Sequence, residues 1–271
     1  MVHDEQKHSP LHLVWLIGGI WLALFSALRL GLLVWNGTEA VGPNLWFWVL
    51  GKGLIFDLIV LSAVLAPVLA YEALLPNRWR KAQWHRALRV LWFIATVFVM
   101  IFGVAAEVTF WLEFSTRFNF IAVDYLLYTH EVIGNIRQSY PVPALLGAFA
   151  LAAALIYWGT HRKLHRANLL ELTRKQRVAM LVASITVPVV TLSLSNVDQI
   201  QGSGNAFADE MAGSGLFTLA AAMRRNELDY DKFYQSIPQE KANSVLQALH
   251  VERQPLGEVL HELDEDEAED V

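Results

Sequence analysis

Four ionisable residues stand inside long apolar runs of this sequence: Arg29, Lys52, Asp57 and Glu107. Near the centre of a bilayer each charge costs at least about 2.5 kcal/mol unless it is paired or wetted, so each calls for a partner. At a rise of about 1.5 Å per residue, Arg29 falls ~9 Å from the middle of its run, Lys52 and Glu107 ~12 Å, and Asp57 ~5 Å, all displaced toward the same side. Two cations and two anions at similar depth suit a neutral network between helices. The cations alone would suit the phosphate of a lipid headgroup, which makes these four the lipid-binding candidates. Lys52 and Asp57 are five residues apart, about 140° around a helix, so they face different neighbours. Glu72 and Arg89 also fall inside apolar runs, but near the ends, where a side chain is expected to reach water.

A second group lies in the stretch Phe118 to Pro141, FNFIAVDYLLYTHEVIGNIRQSYP, which is too polar to span a bilayer and too apolar for an ordinary loop. Read as a helix from about Ala122, it puts Asp124, Glu131, Asn135 and Gln138 on one side and Leu126, Thr129, Ile133 and Ile136 on another. Tyr125, Tyr128 and Tyr140 suit a headgroup zone, where a ring is buried while its hydroxyl stays wet. The expectation is an interfacial helix carrying Asp124, His130, Glu131 and Asn135. Only His130 supplies an imidazole, and the spacing matches no metal constellation. No G-x-S-x-G, H-E-x-x-H or phosphate-binding glycine loop occurs in the chain. The absence of cysteine excludes thiolate nucleophiles and disulfides. No catalytic residue and no metal ligand is therefore assigned.

The elements that must hold these groups are long. Of 271 residues, 55% are hydrophobic, with 10 Trp and 14 Phe, more apolar mass than a soluble domain of this size hides. Five runs approach the ~20 residues a spanning helix needs: Leu11 to Trp35, Leu45 to Leu75, Ala87 to Leu112, Val142 to Thr160 and Val178 to Leu194. Pro188 interrupts the fifth, which a bundle tolerates where neighbours satisfy the freed carbonyl. The fold class expected is all-α, a polytopic membrane protein of about five transmembrane helices. The first run is longer than a signal-peptide core and lacks a small-residue cleavage site, so it reads as a retained anchor.

Loop charges orient the bundle. Arg78, Arg80, Lys81 and Arg86 follow the second run, and Arg162, Lys163, Arg166, Arg174, Lys175 and Arg177 follow the fourth, so both loops are expected to be cytoplasmic. The first loop has no basic residue and the third only Arg117 and Arg137, which places them outside. The N-terminus is then inside and the C-terminus outside the membrane. Residues 1–195 read as the transmembrane domain, with the interfacial segment at 113–141. Residues 196–238 read as an extracytoplasmic linker with one helix marked by Leu216, Leu219, Ala220 and Met223, and residues 239–271 as a short helix (about Gln239 to His250) and an acidic tail. The tail, HELDEDEAEDV, accounts for the formal charge of -5, which leaves no basic field for nucleic acid.

Three strings carry a family likeness. AEVTFWLEFSTR, the FNFIAVDYLLYTHEVIGNIRQSYP stretch and MAGSGLFTLAAAMRRNELDYDKFY resemble the membrane region of bacterial lipoteichoic acid synthase-like and phosphoglycerol transferase proteins, of the sulfatase and alkaline phosphatase superfamily. The likeness covers about Leu11 to Tyr234. It implies five spans, N-terminus inside, and transfer of glycerol phosphate from phosphatidylglycerol to an extracytoplasmic glycan. It further implies an outer sulfatase-like domain that uses manganese or magnesium and a threonine nucleophile. That domain's motifs have no matching positions before Val271. The expectation is an anchoring and lipid-presenting part, inactive by itself, that is truncated or works with a separately encoded catalytic domain. A non-enzymatic membrane scaffold and the membrane region of a phosphoethanolamine transferase-like enzyme are the alternatives.

Overall fold

The computed structural model describes residues 12–80, 82–127, 129–167 and 171–224, together with Lys241 and Ser244. The chain divides into two units, 1–226 and 227–271, and the described architecture is that of the first. Of the expected helix at about 239–250, only Lys241 and Ser244 are described, both helical; the acidic tail lies outside the described residues.

Five helices are long and apolar enough to cross a membrane, and the described residues contain no strand: the protein is an all-α polytopic membrane protein. They are α1 (His12–Ala40), α2 (Trp46–Leu74), α4 (Gln83–Phe114), α7 (Val142–Ala167) and α8 (Arg174–Leu194). Between and after them run α3 (Asn77–Arg80), α5 (Phe120–Leu127), α6 (Thr129–Ser139), α9 (Ala206–Ala212) and α10 (Gly215–Arg224), with 3-10 turns at Pro43–Leu45 and Val197–Ile200. The bundle thus has two ends. One carries residues 36–45, 115–120 and 195–224; the other carries the basic connections after α2 and α7.

Helix limits follow local chemistry. Gly37, at φ 74°, breaks the helical path of α1, a backbone conformation that glycine adopts without steric cost. Trp46 Nε1 then donates to Val41 O at 3.2 Å and closes the turn into α2. Leu75 ends α2 in extended geometry because Pro76 follows it. α4 stops at Ser115 in the left-handed region, its N–H donating to Trp111 O at 2.8 Å. α8 opens on a capping box in which Thr173 and Gln176 satisfy each other's backbone N–H.

Lipid tails are as apolar as leucine, so bundle helices associate through close packing and polar contacts rather than by hiding from water. α8 packs along α2, where buried Ser184 and Pro188 allow close approach and Ser62 Oγ shares a hydrogen bond of 3.0 Å with Thr191 Oγ1. The main core joins α1, α2 and α4 through Ile17, Trp21, Phe25, Val49, Leu61, Phe93 and Val97. α4 also carries α7.

The interfacial stretch forms two helices rather than one, α5 and α6, on either side of Tyr128, which lies outside the described residues. α5 buries Ala122 and Val123 and packs on α10. The segment after α8, expected as a linker with one helix, is instead built into the bundle end: the turn at 197–200, α9 and α10 all pack on α2 or on one another. Its glycines and asparagines serve tight turns. Asp209 accepts from the N–H groups of Gly202 and Ser203 at 3.1 and 3.0 Å, and Asn205 caps α9 by accepting from Ala208 N at 3.0 Å. The Asn205 amide also donates to Ala40 O at 2.8 Å, fastening α9 to the end of α1.

Candidate functional site: a buried arginine clasp

The corner between α9 and α10, Met211-Ala212-Gly213-Ser214-Gly215, is buried throughout. It lies beside Arg29, eight residues before the break in α1 at Gly37 and so ~12 Å along the helix from that break at ~1.5 Å per residue. Helix ends leave carbonyls without intrahelical partners, and inside a bundle those carbonyls need donors. Two guanidinium groups supply them. Arg29 donates from Nε to Met211 O at 3.1 Å and from Nη2 to Gly213 O at 3.0 Å, while its Nη1 pairs with Asp57 Oδ2 at 2.6 Å. Arg117 donates from Nη2 to the same Met211 oxygen at 3.1 Å, and its Nη1 pairs with Glu107 Oε1. Immediately before the corner, Glu210 Oε2 accepts from Thr116 Oγ1 at 2.7 Å and from Arg117 N at 3.1 Å.

Two glycines make room for these charges. A Cβ on Gly53 would overlap the Arg29 guanidinium, and one on Gly215 would overlap the Glu107 carboxylate. Phe217 follows on α10 and packs on Phe56 with ring centroids 4.8 Å apart, sealing the side next to Asp57.

Of the four candidates drawn from the apolar runs, three therefore enter one assembly, but not as a single set of mutual partners. Arg29 neutralises Asp57. Glu107 is neutralised by Arg117, which loop charge alone marks as a surface residue. All four of these side chains are buried. Lys52 stands apart: it is half-buried, makes no ion pair among the described residues, and lies 5.0 Å from the centroid of the Trp48 ring. Its long stem lets the ammonium leave the apolar layer, which Arg29, held at three points, does not do. On the other candidate stretch, Asp124 of α5 and Asn135 of α6 are exposed and sit on separate helices; the side chains of His130 and Glu131 lie outside the described residues. Among the described residues no three His, Cys, Asp or Glu side chains converge as a metal centre requires. The clasp binds and positions backbone; it offers no activated nucleophile.

Sequence reasoning missed Arg117, Gly53, Gly215 and the corner itself. The available signals were the spacing of Gly53 and Asp57, four residues apart on one face of α2, and the small-residue string AGSG, which permits close backbone approach as well as flexibility.

A second buried cluster occupies the opposite end. Glu72 and Arg89, expected to reach water, are buried instead, because the short helix α3 folds Arg80 back over them. Arg80 Nη1 pairs with Glu72 Oε2 at 2.8 Å and Arg89 Nε lies 3.4 Å from Glu72 Oε1. Beside them Tyr71 Oη and His85 Nδ1 share a hydrogen bond of 2.9 Å. Arg177, expected only to orient the loop, caps α2 by donating to Leu75 O at 2.7 Å and Ala73 O at 3.2 Å, and it also reaches Asn77 Oδ1 at 2.5 Å. No family model matches the chain, and no solved structure matches it.

Proposed function

We propose that this chain is the membrane-anchoring and lipid-presenting part of a phosphoglycerol transferase, holding the outer, sulfatase-like chemistry in register with phosphatidylglycerol at the extracytoplasmic face. One observation carries this reading: two of the three strings on which the resemblance rests supply clasp residues, and the remaining one packs on α10, the helix that follows the clasped corner. The first, AEVTFWLEFSTR, contains Glu107 and Arg117. The third, MAGSGLFTLAAAMRRNELDYDKFY, supplies Met211, Gly213, Gly215 and Phe217. The second contributes α5, which packs on α10.

In this reading the clasp fixes where the chain leaves the membrane after α10, so that a catalytic domain tethered there works at a constant height above the lipid. Positioning of this kind is worth up to roughly 7 to 11 kcal/mol of an activation barrier. The sulfatase-like domain would bring the manganese or magnesium and the nucleophile. Lys52, at the same end of α2 and not committed to a carboxylate, is the residue suited to a lipid phosphate.

The test is phosphatidylglycerol retained through purification, compared between the parent chain and Lys52→Met. The variant should lose phosphatidylglycerol clearly with little change in melting temperature, since a cation over an aromatic ring contributes only about 0.5 to 1 kcal/mol at an accessible site. Unchanged lipid with a lowered melting temperature would assign Lys52 a purely structural role and remove the lipid-presenting half of the proposal.

A further inference from the structure

We infer that α6 is an arm lying flat on the membrane at the clasp end of the bundle, with one side set into the surface of the bilayer. The sequence suggests a single interfacial helix over the whole stretch. In the structure α5 turns Ala122 and Val123 inward and packs on α10, so the contact with lipid falls to α6 alone. On α6, Val132, Ile133, Ile136 and, just past its last residue, Tyr140 fall within an arc of about 100° at ~100° per residue, while Asn135 and Gln138 lie on the other side. Ile133, Ile136 and Tyr140 are 42%, 44% and 43% exposed. Three large apolar side chains exposed on one side of a short helix form a patch of the kind that marks an interaction surface.

The connections of the chain indicate what covers that patch. α6 runs from α5, which sits on α10, to the start of α7, so both of its ends belong to the clasp end of the bundle and its length of ~16 Å runs across that end. Tyr140 closes the last turn by donating its N–H to Ile136 O at 2.9 Å, and Pro141, which has no N–H, stops the helix from running straight on into α7. The spanning part of α7, Val142–Leu164, is 23 residues long. At ~1.5 Å per residue that is ~34 Å, little more than the ~30 Å hydrocarbon layer, which puts Val142 at the membrane surface and α6 directly beside it. Tyr140 at this boundary and Trp158, 73% exposed toward the other end of α7, suit the two aromatic belts of a bilayer. Exposed Arg137 flanks the apolar arc, where its stem lies along lipid while the guanidinium stays among headgroups. A helix of this pattern sinks its apolar side ~5–10 Å into the boundary between headgroups and acyl chains. The contact is with the bilayer surface at large and not with one held lipid. It rests neither on the phosphoglycerol transferase reading nor on any clasp residue.

The chain has no cysteine, so single labelling sites can be placed in the full-length protein without other changes. The test uses Ile133→Cys, Ile136→Cys and Tyr140→Cys on the apolar side and Asn135→Cys and Gln138→Cys on the other, all exposed positions, each carrying a nitroxide label in nanodiscs of phosphatidylcholine with phosphatidylglycerol. Oxygen, which concentrates in lipid, should be the stronger relaxant at the first three positions, and a water-soluble nickel complex the stronger at the other two. Preference for nickel at all five would stand α6 in water and overturn the inference. Poor access of both relaxants at 133, 136 and 140 would show protein, a second copy or another partner, on that side and would overturn it equally.

Discussion

Arg29 and Arg117, eighty-eight positions apart in sequence, donate to one and the same carbonyl oxygen, that of Met211, each at 3.1 Å. Each guanidinium also neutralises a carboxylate on a spanning helix, Asp57 on α2 and Glu107 on α4. The segment beyond the fifth span is therefore bound to the bundle through charges that the bundle must bury in any case. That coupling makes the stability of the membrane domain and the seating of the α9–α10 corner a single property.

The Glu107–Arg117 pair yields a first prediction. Removing one partner of a buried pair leaves the other charge uncompensated, at a cost of about 3 to 5 kcal/mol. Arg117→Met should therefore be severely destabilising in detergent unfolding measurements. Adding Glu107→Gln to it should cost less than the sum of the two single changes, with a coupling of about 1 to 3 kcal/mol. Strict additivity would mean that the two side chains do not pair.

The glycines give a second prediction with an internal control. Gly53 and Gly51 lie two residues apart on α2, but a Cβ at 53 would strike the Arg29 guanidinium whereas one at 51 meets nothing within 4 Å. Gly53→Ala should lower stability by about 1 to 3 kcal/mol through overpacking. Gly51→Ala should raise it by roughly 0.5 to 1 kcal/mol through backbone entropy. Comparable effects at both positions would contradict the placement of Arg29.

Much of the fold is legible in the sequence for physical reasons. A bilayer demands long apolar helices, so all five spans declare themselves, although their ends extend further than hydropathy suggests: α7 continues to Ala167 and α8 begins at Arg174. The demand for partners is legible too, and Asp57 finds Arg29. The identity of Glu107's partner is not, because Arg117 lies beyond the end of α4 and a loop arginine looks the same whether it faces water or folds back. Lys52 groups with Arg29 in sequence because both sit in apolar runs, yet a flexible ammonium stem and a three-point guanidinium respond differently to that setting. Least legible is 196–215, where glycine, serine and asparagine read as a linker. The same residue types cap helices and allow backbone to approach charged side chains, and composition does not tell these uses apart.

Orientation supplies a third prediction. By the positive-inside rule the basic connections after α2 and α7 are expected on the cytoplasmic side. Reporter fusions after Thr38, Lys81, Ser139, Lys163 and Arg224 should read outside, inside, outside, inside and outside. A cytoplasmic signal at Arg224 would put the clasp on the wrong face for an extracytoplasmic transfer and end the proposed function.

The central claim, that the segment after the fifth span is seated inside the bundle rather than tethered to it, is tested most directly by hydrogen–deuterium exchange of the chain in lipid nanodiscs, read at the peptide covering residues 205–217. Exchange reports how often a segment opens, and buried, clasped backbone opens rarely. This peptide should exchange as slowly as the middle of α2, and Arg117→Met should accelerate it while leaving α7 unchanged. Complete exchange of 205–217 in the parent chain at the rate of an unstructured peptide would contradict the claim.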